Sequence, residues 1–356
     1  SLIKILIMKR ILKILGILIG IIAFAFIALL VFATATKYIP HERDTVFQTR
    51  DFSKLPDSLT INMLTWNIGY CGLGKDMDFF YDGGTHMRCS RENTINNMNA
   101  IGKFLKQNDS IDFYNIQEID KNSHRTYSIN EYDSVSNLLK GFKAFFGKNY
   151  DVKYVPVPWT EPMGKVLSGI ATFAKYVPVS SVRVYYPSKF SWPTYLFMLD
   201  RCFLVNRYPL QNGKDLLIVN THLSAFDDGS LRDAEMHYFR KYLSAEFDKG
   251  NYIIVGGDWN QSPEDFKPTY TFKFDSLDNK IISKSYMPEN WKWCFDNTAP
   301  SNRRVVAPYD PATTLTTVID FFLLSPNVDL IQLKTINLNF DNSDHNPVIA
   351  KFKLKK

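Results

Sequence analysis

Apolar and polar positions alternate along this chain in two distinct rhythms, and the rhythms take turns. The run "LTINMLTWN" is β-prone and ends at Asn67. A helical spacing of Ile95, Met98, Ile101 and Leu105 predicts a helix. The run "IDFYNIQEID" then reads as a strand that delivers Glu118 near its end. "VLSGIATFAKYVPV" and "DRCFLVNRYPL" read as a pair of strands, and "DLLIVNTH" as another, ending at His222. From Leu231 an amphipathic helix is expected, with Leu231, Tyr238, Tyr242 and Ala245 on one stripe and Gly250 as its stop. Three further apolar runs, in "IIVGGDWNQSP", "TTVIDFFLLSPNV" and "NSDHNPVIAKFKL", each lie beside an acid. Strands alternating with helices predict a layered α/β domain over residues 59–356.

The N-terminus follows neither rhythm. Residues 14–35 contain no charged side chain. As a helix they would span about 33 Å, enough to cross a bilayer core. Lys4, Lys9, Arg10 and Lys13 precede them, and the positive-inside bias then sends the body across to the extracytoplasmic side. A cleaved signal peptide is the competing expectation, because Ala33-Thr34-Ala35 fits a small-x-small cleavage site. Residues 1–36 are therefore expected to form a cytoplasmic stub and membrane anchor or a signal peptide. Residues 37–58, mixed in charge and without a period, are expected to be a linker.

Charge changes the picture once it is located. The formal net charge is +6, from 42 basic and 36 acidic residues. Eight of the basic residues sit in two acid-free terminal segments, so the body is close to neutral and slightly acidic. Such a body is a poor electrostatic track for a polyanion, which makes nucleic acid a possible but unfavoured partner and leaves room for a local basic patch. The four cysteines lack the close pairs of a zinc site. Cys71 and Cys89 flank one loop and could pair outside the cytoplasm, but free thiols are the favoured expectation.

The candidate chemistry lies at strand ends. Asn67, Glu118, His222, Asp258, Asn260, Asp320, Asp344 and His345 all sit in or beside strand-like runs, where α/β sheets build sites. In "GGDWNQSP", extended chain would point Asp258 and Asn260 into one space, although a loop capped by its own Asx hydrogen bonds would also explain the sequence. Several carboxylates in one space repel each other, and a hard divalent cation relieves them. Mg²⁺ suits carboxylate and amide oxygens, with Mn²⁺ as the alternative. A histidine beside a second carboxylate can take a proton from water. Together these features point to hydrolysis of a phosphate ester.

The blocks "TWNIGY", "IQEID", "NTHLSAF", "GGDWNQSP", "IDFFLLS" and "SDHNPV" occur in that order. The set resembles the endonuclease/exonuclease/phosphatase superfamily over about residues 59–354. The resemblance implies a four-layer sandwich of two packed β-sheets with helices outside, and a Mg²⁺-dependent phosphoesterase. It implies Glu118 as the principal metal ligand, with Asn67 and Asp344 close to the metal and its waters. It implies His345 as general base oriented by Asp320, and Asp258 acting on the nucleophile or leaving group. Asn260 would hold the phosphate, His222 would donate to phosphoryl oxygens, and Arg201 would lie on the phosphate side or serve as a surface ion-pair member.

Two departures are visible. Many relatives carry an arginine two residues before the acid of the "IDFFLLS" block, where this chain has Val318, so the support for Asp320 is expected from elsewhere. The long loop after Asn67 has no counterpart and is expected to shape the substrate mouth. His222 argues against an abasic-site endonuclease, which usually has asparagine there. The apolar N-terminus and the aromatic stretch "YYPSKFSWPTYLFML" (residues 185–199) favour a lipid or small-ester substrate, sphingomyelinase-like, although that stretch would equally fit a buried hairpin. An extracytoplasmic nuclease is the alternative on the same fold. A non-catalytic binding protein is the alternative of another class, and the intact acid and histidine set speaks against it.

Overall fold

The apolar runs become the strands of two sheets in the computed structural model, which describes residues 2–225, 229–269, 273 and 280–355. In chain order the strands are β1 (Arg43–Gln48), β2 (Thr60–Asn67), β3 (Phe113–Asp120), β4 (Lys143–Val155), β5 (Gly164–Ala174), β6 (Ser180–Tyr185), β7 (Cys202–Pro209), β8 (Asp215–His222), β9 (Tyr252–Asp258), β10 (Lys292–Cys294), β11 (Asp320–Leu324), β12 (Val328–Thr335) and β13 (Val348–Leu354). A seven-stranded sheet runs β1-β6-β7-β8-β9-β11-β10, and a six-stranded sheet runs β12-β13-β2-β3-β5-β4. The helices are α1 (Leu2–Thr36), α2 (Arg91–Gln107), α3 (Glu131–Leu138) and α4 (Ser230–Phe247).

Each sheet holds one parallel pair at its centre. β2 and β3 are parallel and joined through α2, and β8 and β9 are parallel and joined through α4. Parallel neighbours require such a crossover, and it puts the carboxyl ends of both pairs at one edge of the sandwich. The inner faces pack through Met63, Phe113, Ile170, Leu204, Ile218, Ile254, Phe322 and Phe352. α4 covers the outer face of the seven-stranded sheet with Met236, Phe239 and Leu243. α2 and α3 cover the other sheet with Ile101, Leu105 and Val135. The expected four-layer sandwich is present.

Near the edge where the strands end, the layer between the sheets turns polar. Asn115 Nδ2 donates to the Val219 carbonyl at 2.9 Å, and Gln117 Nε2 to Asn220 Oδ1 at 2.7 Å. Asn220 Nδ2 donates in turn to the carbonyls of Ile116 and Ala171, at 3.1 and 2.9 Å. These amides bolt one sheet to the other. Buried polar groups of this kind fix a unique alignment because every alternative leaves them unpaired.

Four expectations need correction. Residues 37–58 are not a plain linker: Arg43–Gln48 adds the edge strand β1 to β6. "VLSGIATFAKYVPV" and "DRCFLVNRYPL" do not pair; β5 joins β3 and β4, whereas β7 joins β6 and β8 in the other sheet. The buried stripe of α4 is Arg232, Glu235, Met236, Phe239, Leu243 and Glu246, and Ala245 is exposed. Three charged residues, Arg232, Glu235 and Glu246, lie on that stripe, which masks its apolar pattern. Residues 185–199 form no hairpin; they leave β6, bury Tyr186 and Leu196, and make one short turn at Thr194–Phe197. The four cysteines are unpaired, Cys71 and Cys89 included.

α1 is a single apolar helix of 35 residues, long and apolar enough to cross a membrane. Its last two turns touch the body, where Ala33 is buried.

If the amides align the sheets, Asn220→Leu will lower stability by about 1–3 kcal/mol for each group left unpaired. Urea unfolding followed by circular dichroism would register this; an unchanged midpoint would remove the amides from that role.

Candidate active site

Strand register builds the site. Across the seven-stranded sheet, His222 pairs with Asp258 and Asp258 with Asp320, on three neighbouring strands. Across the other sheet Asn67 pairs with Gln117, and Glu118 follows in a β-bulge with φ +50°. A bulge re-aims a side chain out of the pleat, and here it turns Glu118 toward the opposite sheet, 3.9 Å from His222 Nε2. Asp344 and His345 arrive on the loop before β13. The indole of Trp66 bonds the His345 carbonyl at 2.8 Å, and Ser343 Oγ bonds the Asn67 carbonyl at 2.9 Å.

Asn67, Glu118, Arg201, His222, Asp258, Asn260, Asp344 and His345 line one cavity of about 780 Å³. Asp320 lies behind His345, bonding its Nδ1 at 2.8 Å. Asn67 donates to Asp258 Oδ2 at 2.9 Å and accepts from the Gly69 amide at 2.9 Å. His345 Nε2 is 3.8 Å from both Asp258 and Asp344.

Asn260 reaches the cavity by the second of the two routes its sequence allows, the Asx-capped loop. β9 ends at Asp258, and Asn260 is left-handed at φ +49° with its amide nitrogen bonded to Asp258 Oδ1 at 2.9 Å. This is an Asx turn, not extended alternation, and Asn260 Nδ2 is given to the Leu223 carbonyl at 2.8 Å. Gly256 and Gly257 let neighbouring strands come close. A Cβ on Gly257 would lie 2.1 Å from the Thr221 carbonyl oxygen, and one on Gly256 2.6 Å from the Phe322 ring.

Burial sets the charges. Asp344 is pushed up to about 7, by desolvation and by Glu118, against the attraction of His345 and Arg303. Asp258 is pushed up to about 6 by desolvation and the neighbouring Asp320 carboxylate. His345 is raised well above its ordinary value because Asp320, Asp344 and Asp258 outweigh its own desolvation. His222 is pushed well down by desolvation and by Arg201, His345 and Arg125, so it is neutral. Its Nδ1 is buried without a hydrogen-bond partner, which fits a tautomer carrying the proton on Nε2.

Two carboxylates facing one cavity and repelling each other are the donor set that a hard divalent cation satisfies. Glu118 and Asp344 fit that description, and one lone pair of the Asn67 oxygen remains beside them. Asp258, Asp320 and His345 also bring ligand atoms within 4.8 Å of one another. Asp320 and His345 are already bonded to each other there, whereas Glu118 and Asp344 both open onto the cavity, so the Glu118–Asp344 side suits a cation better.

Several supporting residues escaped the sequence reading. Ser301 Oγ donates to Asp320 Oδ2 at 2.7 Å and accepts from the amides of Ile319 and Asp320 at 3.0 Å each. It is the support that Val318 cannot provide. Asn302 Nδ2 lies 3.0 Å from His345 Nε2. Arg303, buried, donates to the Gly74 carbonyl at 2.8 Å and pins the long loop after Asn67, whose Tyr70, Leu73, Phe79, Tyr81 and Asp82 wall the cavity. Asp120 and Arg125 form a buried pair beneath Glu118, with the guanidinium 3.7 Å above the Tyr70 ring. Gly69 has φ +50°, and a Cβ there would meet Asp344 Oδ1 at 2.7 Å. "SNRR" has no periodicity that could have marked Ser301 to Arg303, whereas the glycine beside Asn67 was visible.

Two face-to-face sheets with acids, amides and imidazoles gathered at one edge define a hydrolase fold for phosphoester bonds. The Endonuclease/Exonuclease/phosphatase family model matches residues 64–345, and the chain belongs to that family. No curated protein matches the chain in sequence. Among solved structures it is similar to an endonuclease/exonuclease/phosphatase from Bacteroides vulgatus, at 17% identity and TM-score 0.53, covering 83% of this chain and 100% of that one. It is similar to ANGEL2, described as a 2',3'-cyclic phosphatase, at 15% and 0.54, covering 89% and 99%. It is also similar to D. rerio TDP2 complexed with single-strand DNA product, at 11% and 0.52, covering 82% and 98%.

Removing the hydroxyl in Ser301→Ala will lower kcat about tenfold, equivalent to ~1.4 kcal/mol, because Asp320 loses its fixed orientation. Steady-state kinetics with a circular-dichroism check would measure this, and an unchanged kcat would reduce Ser301 to a structural residue.

Proposed function

We propose that the chain is a membrane-anchored, Mg²⁺-dependent phosphoesterase whose catalytic body is extracytoplasmic and whose substrate is a lipid or small phosphate ester, most nearly sphingomyelinase-like. The observation that carries the reading is Arg201. Its guanidinium lines the cavity with His222 and Asp258, is buried, and has an Nη1 without a hydrogen-bond partner. No ion pair to it is found among the described residues. A buried cation without a partner is costly, and a phosphate group beside it would supply the missing anion.

Glu118, Asn67 and Asp344 would hold Mg²⁺, with Mn²⁺ able to replace it. The ion, when bound, polarises a phosphoryl oxygen and steadies charge on the leaving oxygen. A neutral His345, held at Nδ1 by Asp320, would take the proton of the attacking water at Nε2; the surrounding acids favour its protonated form, and the charge of a bound cation would offset them. Asp258, fixed by the Asn67 amide, positions that water or assists the departing group. His222 donates its Nε2 proton to a phosphoryl oxygen, and Arg201 neutralises another. Asn260 keeps its side chain on the Leu223 carbonyl, so it shapes the phosphate side and does not grip the phosphate directly.

The end of α1 is built into the body, through Ala33 and the ion pair of Lys37 with Asp200. This supports a retained anchor over a discarded signal peptide. A nuclease remains the second reading, because Arg125, Arg201, Arg232, Arg303 and Arg304 line the cavity of an otherwise near-neutral body.

Purified full-length protein in detergent will hydrolyse bis-p-nitrophenyl phosphate with Mg²⁺ and stop on addition of EDTA. Glu118→Ala and His345→Ala will each lower turnover by a factor of about 10²–10⁴ while the fold persists. Sphingomyelin vesicles, inositol phosphates and single-stranded DNA, assayed side by side, will separate the readings. Rapid DNA cutting without lipid hydrolysis would establish the nuclease.

A further inference from the structure

The apolar helix meets the catalytic body without slack. The last turns of α1 pack against β4 and the Thr194–Phe197 turn. Immediately after the helix, Lys37 Nζ bonds Asp200 Oδ2 at 2.8 Å and the Met198 carbonyl at 3.2 Å. Both side chains of that pair are buried, at 5% and 9% exposure. The next residue, Tyr38, lies with its ring 3.5 Å from the Lys148 ammonium of β4. Asp200 adjoins Arg201, and Arg183 holds the Asp200 carbonyl at 3.1 Å. The helix end is thereby fixed to the segment that supplies Met198, Leu199 and Arg201 to the cavity wall.

The same region carries the body's most exposed tryptophans. Trp192, two residues before the Thr194–Phe197 turn, is 62% exposed, and Trp159, four residues after β4, is 78% exposed. The other four tryptophans of the chain are buried or half-buried. Both exposed rings lie within four residues, along the chain, of the two elements that α1 touches. Tryptophan is favoured where one side meets hydrocarbon and the other meets water. A body locked to the last turns of a spanning helix has its adjoining surface at that depth.

We propose that Trp192, Trp159 and the stretch Phe190–Leu199 form the face on which the body rests against the phospholipid headgroup layer of the membrane holding α1, so that the cavity receives its substrate from that layer. This rests on α1 being a retained anchor. Phe190, Thr194, Met198 and Leu199 line the cavity while Trp192 is exposed and does not, so a single strap both lines the mouth and offers a ring to the lipid. The occupant is the bilayer that already holds the neighbouring helix, because α1 ends against the Thr194–Phe197 turn of this stretch.

The test uses the full chain reconstituted in phosphatidylcholine vesicles, with and without brominated acyl chains. Brominated lipid will quench part of the tryptophan fluorescence, and the quenched part will shrink in Trp192→Phe and in Trp159→Phe. Trp192→Ala combined with Trp159→Ala will slow hydrolysis of vesicle-borne substrate about tenfold and leave hydrolysis of a soluble diester unchanged. Equal loss on both substrates would overturn the proposal by making the two rings structural. Retention of the chain in alkaline-washed membranes with both tryptophans unquenched would overturn this face and leave the anchor standing. Release by the alkaline wash would overturn the anchor, and this face with it.

Discussion

The amides buried between the two sheets are the constraint from which the site follows. Asn115 and Gln117 on one sheet and Asn220 on the other exchange hydrogen bonds with each other's strands. Glu118 lies immediately beyond Gln117, and His222 lies two residues beyond Asn220. Fixing the amides therefore fixes how Glu118 faces His222, and strand register carries that alignment on to Asp258 and Asp320. A slip of one residue in either sheet would send these side chains to the opposite face. An apolar layer of the same volume could slide; hydrogen-bonded amides cannot do so without leaving polar groups unpaired.

The second physical theme is concentrated negative charge. Four acids gather at one edge with only His345 and the surrounding arginines to oppose them. Asp344 and Asp258 are raised into the range of about 6 to 7 by burial and by one another's neighbours. Asp320 is hydrogen-bonded to His345 and to Ser301. Glu118 lies 3.9 Å from His222 Nε2 and Asp344 3.4 Å from Ser343 Oγ, contacts looser than the Asp320–His345 bond, which leaves these two acids suited to a cation. The neutral His222 and the unpaired Arg201 complete the opposite wall. One cavity thus brings these acids, the imidazoles and Arg201 together, as the proposed function requires.

Much of this was legible in the sequence, for physical reasons. Strand periodicity is local, so β2, β3, β8, β9, β11 and β13 could be read from it, along with the polar residue each one delivers. The order of six short blocks then identified the sandwich. What could not be read depends on partners distant in the chain. Strand pairing did not follow sequence proximity, which is why β5 and β7 were assigned to one ladder although they lie in different sheets. The α4 stripe was missed because Arg232 and Glu235 are buried for their hydrogen bonds, not for hydrophobicity. Ser301, Asn302 and Arg303 act through Asp320, His345 and the loop after Asn67, and nothing in "SNRR" advertises those contacts. The left-handed turn at Asn260 changed how that residue reaches the cavity while leaving it at the same wall.

The most direct test of the central claim is the anomalous-difference map of crystals soaked in Mn²⁺. The account predicts a peak in contact with the Glu118 carboxylate and on the side of Asn67 and Asp344, with the Asp320–His345 hydrogen bond intact. A peak held between Asp258, Asp320 and His345, or none at all within the cavity, would contradict it.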